Sequence, residues 1–257
     1  MTKQHISFSE LKTWAECPFK HRLKYIDGIN GFTGNAFTAF GTAIHDVCEN
    51  IAKGDLQEED YDNHFDLAFL CELKKLEEKP DNQLITEMRQ QGKAISPSVF
   101  PELQNHFGNY EVFSTEEQLY EPIDELAYKW HLKGFIDLVI KTDDGKYHIL
   151  DWKSCSWGWD AQKRSEKLVT YQLTLYKKFF CKKHKIDPDN VETHFGLLKR
   201  TAKDNRVEIF RVTSGKRKTE NATKLLVNGC KTIKAKNHVK NRKSCKKCEF
   251  RHTEHCP

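Results

Sequence analysis

Long apolar runs are missing from this chain. No stretch approaches the ~18–20 residues that a membrane-spanning helix needs. The opening Met1-Thr2-Lys3-Gln4-His5 has none of the apolar core of a secretory leader. The expectation is an intracellular, cytoplasmic protein with no membrane role. There is also no Gly-x4-Gly-Lys-Ser/Thr loop to cradle a nucleotide's phosphates. The chain is therefore not itself an ATP-driven motor, and any such step would fall to a separate helicase or recombination partner. Internal repeats, low-complexity tracts and Pro-rich linkers are absent too. Residues 1–257 read as a single domain, large enough for a sizeable core.

Large side chains are plentiful, with 16 Phe, 8 Tyr and 5 Trp. Nine cysteines in an intracellular chain point to free thiols or metal ligands rather than a disulfide framework. Charge is unevenly spread. Residues 1–198 carry a net −8 and residues 199–247 a net +14, against +5 for the whole chain. A basic stretch on an acidic body suits a polyanion-binding face or a solvated lysine-rich helix, and charge alone leaves both open.

Ser7 and Glu10 have capping-box spacing and open a helix carrying Phe8, Leu11 and Trp14. Cys17-Pro18 interrupts it before a second helical stretch. A Gly-rich loop over 28–34 then leads to a helix over about 36–53, with Phe40, Ile44, Val47 and Ile51 on one face and Gly54 as its stop. Residues 56–112 read as an acidic helical insertion. After 116 the pattern predicts strands over 118–120, 127–139 and 147–152, a helix over 164–184, strands over 191–198 and 207–212, and a basic helix over 215–239. The fold class is α/β.

Four pieces then stand in order: Gly41-Thr42-Ala43-Ile44-His45, Gly134-Phe135-Ile136-Asp137, Asp151-Trp152-Lys153, and Gln172 with Tyr176. Side chains alternate along a strand, so Asp151 and Lys153 share a face. Asp137 can bring a second carboxylate from a neighbouring strand. Carboxylates suit Mg²⁺ or Mn²⁺, His45 offers a nitrogen that Mn²⁺ accepts more readily, and the Trp152 carbonyl is a further candidate ligand. A lysine beside such a site can stabilise a phosphoryl transition state. Gln172 and Tyr176, four apart, share a helix face and can hold Lys153 or a phosphate backbone. Each alone has a plainer reading as packing or surface; their order is what singles them out.

That order resembles the RecB-type branch of the PD-(D/E)XK nuclease superfamily. The resemblance spans 7–257 and matches poorly around 56–112. It implies a central mixed β-sheet flanked by helices, a restriction-endonuclease-like core with the active site at one edge. It implies His45, Asp137 and Asp151 as metal ligands, Lys153 as the catalytic lysine, and Gln172 and Tyr176 as the following helix motif. The activity implied is a Mg²⁺- or Mn²⁺-dependent deoxyribonuclease, an exonuclease on single-stranded DNA or DNA ends in recombination, repair or phage DNA processing. The small size fits a phage-encoded or CRISPR-type enzyme. The rival reading is a catalytically inactive nucleic-acid-binding module with a structural zinc or iron–sulfur site.

Cys245-x2-Cys248 and Cys256 follow this core and Cys17 precedes it. Iron–sulfur members of the RecB-like nucleases show the same arrangement. The resemblance therefore implies a [4Fe–4S] cluster on Cys17, Cys245, Cys248 and Cys256, a staple between the N-terminal segment and residues 240–257. A local zinc site on Cys245, Cys248, His252 and Cys256 is the alternative. Trp152, Trp157 and Trp159 flank the Asp-x-Lys strand, where base stacking and core packing both remain open. Lysines and arginines from Lys231 to Lys247 can follow a phosphate backbone.

Overall fold

The computed structural model describes residues 4–29 and 33–257, so the loop expected over 28–34 lies partly outside the described residues. The chain opens with a short strand, β1 (His5–Ser7), then α1 (Phe8–Glu16) and α2 (Pro18–His21), which runs into a π-helical turn. The Ser7 hydroxyl accepts the Glu10 N–H, the first half of the expected cap. Next comes α3 (Ala36–Lys53), opened by Asn35 and Thr38 in a reciprocal capping box and closed by Gly54 at φ 75°. Three helices follow: α4 (Tyr61–Lys74), α5 (Asn82–Ile95) and α6 (Val99–Phe107).

The sheet is mixed and six-stranded. Its strands are β1, β2 (Tyr110–Pro122), β3 (His131–Thr142), β4 (Tyr147–Cys155), β5 (Val191–Lys199) and β6 (Val207–Arg211). Between β4 and β5 lie α7 (Ala161–Ser165) and α8 (Lys167–His184), and α9 (Lys216–Lys234) closes the set. β4 and β5 are parallel, which requires the crossover that α8 supplies.

β3 has three neighbours. β2 pairs with it antiparallel along one whole edge. The opposite edge is shared: β1 takes residues 131–133 in parallel and β4 takes 138–141 antiparallel. Residues 134–137, the Gly-Phe-Ile-Asp segment, therefore face a seam between β1 and β4.

Neighbouring residues of a strand serve opposite faces of the sheet. Val139, Ile149 and Phe195 pack under α1, α8 and α9 with Leu11, Phe179 and Leu226. Leu138, Leu150 and Trp152 pack under α3 to α6 with Phe40, Phe65 and Leu103. The result is a helix–sheet–helix sandwich with the seam at mid-sheet. Among the described residues no helix is long and apolar enough to cross a membrane.

Several elements differ from expectation. The strand expected over 118–120 extends across thirteen residues. Only Leu119 in it is buried, so an edge strand rich in Glu carries almost no alternating apolar signal. It also claims the last residues of the stretch expected to be helical to 112. The strand expected over 127–139 begins at His131, because residues 123–130 form the turn that returns β2 to β3. The helix expected over 164–184 is split by Glu166, whose backbone is extended. The basic helix ends at Lys234, five residues early.

Candidate active site

The β3–β4 ladder stops at Leu138 opposite Leu150. Beyond it the Trp152 N–H donates to Asp137 Oδ2 at 2.7 Å, so a side chain replaces the next backbone partner. Asp151, 1% exposed, projects toward α8, where Gln172 Nε2 donates to its Oδ1 at 2.9 Å. Gln172 also donates to the Tyr176 hydroxyl at 3.3 Å. Lys153 forms an ion pair with Asp151 Oδ2, a buried oxygen that receives no well-directed hydrogen bond. From the other side, α3 brings His45 Nδ1 to 3.5 Å from Asp137 Oδ2. All four pieces picked out in the sequence meet at this seam.

Burial dominates the electrostatics. It pushes Asp137 and Asp151 each up to about 6, against the pull of the nearby Lys153 ammonium. Burial alone would lower Lys153, but the two carboxylates outweigh it and hold the ammonium above its ordinary range. Burial, reinforced by Lys153, pushes His45 down to about 4, leaving a neutral imidazole with a lone pair to offer. Burial also raises the Tyr176 hydroxyl, so it stays protonated.

Two glycines shape these positions. Trp152 stands opposite Gly196 on β5, and a Cβ there would sit 2.2 Å from Trp152 Cε3. The indole thus lies flat over Gly196, 1% exposed. At Gly134 a Cβ would fall 2.8 Å from Tyr176 Cε1. Gly134→Ala should therefore displace the Tyr176 ring and loosen Gln172, at about 1–3 kcal/mol of stability. A urea melt checks this; an unchanged midpoint would mean the ring shifts freely.

A sequence model described as the PD-(D/E)XK nuclease superfamily matches residues 5–256. The chain belongs to the PD-(D/E)XK nuclease superfamily. No curated protein sequence matches it significantly. Among solved structures, a Eubacterium rectale protein provisionally described as an exonuclease aligns at TM-score 0.61 and 11% identity, covering 97% of this chain and 89% of that one. That likeness shows the shared fold. The protein SSO0001 aligns at TM-score 0.46 and 13% identity, covering 97% and 85%.

As a PD-(D/E)XK nuclease, the chain has a donor set that fits the Mg²⁺ or Mn²⁺ typical of this superfamily. A buried carboxylate, Asp151, whose Oδ2 meets only the Lys153 ammonium, converges with the half-buried Asp137 beside a neutral imidazole. Two acidic residues near Asp137 escaped the sequence reading. Glu49 lies one turn beyond His45 on α3, a spacing that could have flagged it. Glu116 stands on β2 across from Asp137 at φ 46°, and both carboxylates help keep Asp137 raised. Of the three flanking tryptophans, Trp152 and Trp159 belong to the core and Trp157 is 73% exposed.

Cys17, Cys245, Cys248 and Cys256 line one cavity of about 440 Å³ between α2 and the C-terminal segment. Cys17 Sγ accepts backbone N–H groups from Lys20 at 3.5 Å and Asn241 at 3.3 Å. The Asn241 side chain donates to the Glu16 carbonyl at 2.8 Å, and Lys20 pairs with Glu249 at 3.0 Å. All nine cysteines are free thiols, and Cys48, Cys71, Cys155, Cys181 and Cys230 lie away from this cavity.

Proposed function

We propose that this nuclease is a metal-dependent deoxyribonuclease that degrades single-stranded DNA or DNA ends. The seam carries the reading: a buried and a half-buried carboxylate, an imidazole and an ammonium face one point beside the interrupted ladder. His45, Asp137, Asp151 and the Trp152 carbonyl would hold Mg²⁺ or Mn²⁺, an ion that when bound lowers the pKa of water and neutralises phosphate charge. The N–H and C=O of a strand residue point the same way. The Trp152 N–H faces β3, so its carbonyl faces the seam as well.

Lys153, kept protonated by its carboxylate neighbours, donates to a phosphate oxygen as negative charge builds there. Gln172 keeps Asp151 turned toward the same point, and Tyr176 steadies Gln172. These two are positioning groups. Trp157, exposed just beyond β4, offers a base-stacking surface at the rim. Trp157→Ala should weaken single-strand binding about tenfold, since one stacked base contributes roughly 1–3 kcal/mol. Fluorescence anisotropy with a labelled oligonucleotide reads this directly.

The substrate class is tested with 5′- and 3′-labelled single and double strands, and with closed single-stranded circles, in Mg²⁺ or Mn²⁺. Labelled ends should shorten stepwise while circles stay intact. Cleaved circles would overturn the exonuclease reading, and inertness toward every DNA would overturn the deoxyribonuclease reading.

The four cysteines are proposed to carry a [4Fe–4S] cluster that staples α1 and α2 to the C-terminal segment. Backbone N–H groups already aimed at Cys17 Sγ suit a thiolate ligand. Thiolates sharing one zinc stand roughly 3.8 Å apart. Among the described residues, no three candidate ligand atoms of Cys245, Cys248, His252 and Cys256 gather within 4.8 Å. Iron and sulfide content after anaerobic purification decides the matter; stoichiometric zinc in place of iron would overturn it.

A further inference from the structure

A second group of potential ligands lies on the opposite face of the sheet. His148 on β4 stands directly opposite Glu192 on β5, and His194 follows Glu192 on the same face. These residues come from adjacent parallel strands, so their spacing is set by register. Along β4, His148 is three residues from Asp151, about 10 Å, and its side chain points the other way. The cluster is therefore separate from the seam.

The two imidazoles face each other, with His148 Nδ1 at 3.1 Å from His194 Nε2. Glu192 Oε2 is 4.0 Å from the same His194 nitrogen. All three ligand atoms lie within 4.8 Å of one another. Zinc–nitrogen bonds of about 2.0–2.1 Å in a tetrahedron hold two nitrogens roughly 3.3 Å apart, close to the spacing present.

The far side of each ring is already held. His148 Nε2 meets Thr142 Oγ1 at 3.0 Å, and that hydroxyl reaches Asp144 Oδ1 at 2.5 Å. The carboxylate can only accept, so Thr142 donates to it and His148 Nε2–H donates to Thr142. His194 Nδ1 meets His106 Nε2, from α6, at 3.3 Å. Ligating histidines commonly have their second nitrogen anchored in this manner. The other oxygen of Glu192 is taken by Arg211 at 3.0 Å, leaving Oε2 toward the imidazoles. Phe107 covers both rings, with centroids 5.0 Å away. Burial holds His148 and His194 neutral at physiological pH, so their lone pairs are available.

We propose that His148 Nδ1, His194 Nε2 and Glu192 Oε2 form a structural site for a divalent transition ion of the zinc class, clamping β4 to β5 beneath α6. Loading needs only linked tautomer changes at His194 and His106. In the hydrogen-bonded arrangement His194 carries its proton on Nε2 and donates to His148. In the loaded arrangement the proton sits on His194 Nδ1 and is donated to His106 Nε2, so His106, which in the unloaded arrangement donates from Nε2 to His194, moves its own proton to Nδ1. No ring changes its net charge.

The test is zinc content of the full-length protein after equilibrium dialysis against Zn²⁺, followed by a thermal melt. Wild type should hold one more zinc per chain than His148→Gln or His194→Gln, and zinc should raise the Tm of wild type more than that of either variant. Both variants keep the seam and every cysteine, so zinc bound at those places cancels in the comparison. If either variant fails to fold by circular dichroism, Glu192→Gln serves instead, with at least tenfold weaker zinc binding expected. Equal zinc content and equal affinity across wild type and folded variants would overturn the site.

Discussion

Asp151→Asn should reduce DNA hydrolysis by at least about a hundredfold and leave the metal-free protein at least as stable as wild type. Asn still accepts the Gln172 hydrogen bond, so α8 keeps its contact with the strand. What disappears is a carboxylate whose ionisation burial disfavours even with Lys153 alongside. A shift from 3.8 to about 6 corresponds to about 3 kcal/mol at neutral pH. Loss of Lys153's partner offsets part of that gain. Lys153→Met should be equally inactive but less stable, because it leaves the buried Asp151 and the half-buried Asp137 side by side without their cation. Single-turnover cleavage of labelled DNA and thermal melts in chelator separate the two. Substantial activity in either variant would refute the assigned roles. A larger loss of Tm in Asp151→Asn than in Lys153→Met would refute the account of the charges.

The second large effect concerns the strand beneath the site. Gly196→Ala should cost about 1–3 kcal/mol or more, since its methyl would enter the Trp152 ring at 2.2 Å from Cε3. The indole is packed into the core under α3, so the displacement passes to the Trp152 backbone, whose N–H holds Asp137. Activity should therefore fall along with stability. Trp152→Leu alone opens a cavity in the packing under α3 and should also destabilise. Combined with Gly196→Ala, the smaller side chain makes room for the methyl. The double variant should lose clearly less than the sum of the single losses. Urea midpoints measure the cycle, and strict additivity would mean that the ring and the methyl do not meet.

The elements with strong apolar periodicity were the legible ones. Phe40, Ile44, Val47 and Ile51 mark the buried face of α3, and Asn35 and Gly54 bound it. β1 went unread because three residues are too few for any periodicity, and only 118–120 of β2 was read because its solvent-facing Glu side chains mask the alternation. At the seam, motif order located His45, Asp137, Asp151, Lys153, Gln172 and Tyr176 without showing how they meet. Their meeting depends on β1 and β4 sharing one edge of β3, a long-range register that no local pattern encodes. Glu116 was equally hidden, since only its place across from Asp137 gives it a bearing on the site.

The shared edge of β3 also bears on the order of folding. β2, β3 and β4 are neighbours in the chain and can form a meander through short-range closure. β1 must instead return across the whole length of chain that separates His5 from His131, a slower event governed by distant loop closure. A nascent chain that has built the meander but not yet docked its first strand already holds Asp137 beside Trp152, with one wall of the seam still unbuilt. Maturation of the catalytic groove is thereby linked to arrival of the amino-terminal segment. Amide exchange at Ile6 and His131, whose N–H donates to the Gln4 carbonyl, should report that step separately from exchange at Leu138 and Leu150.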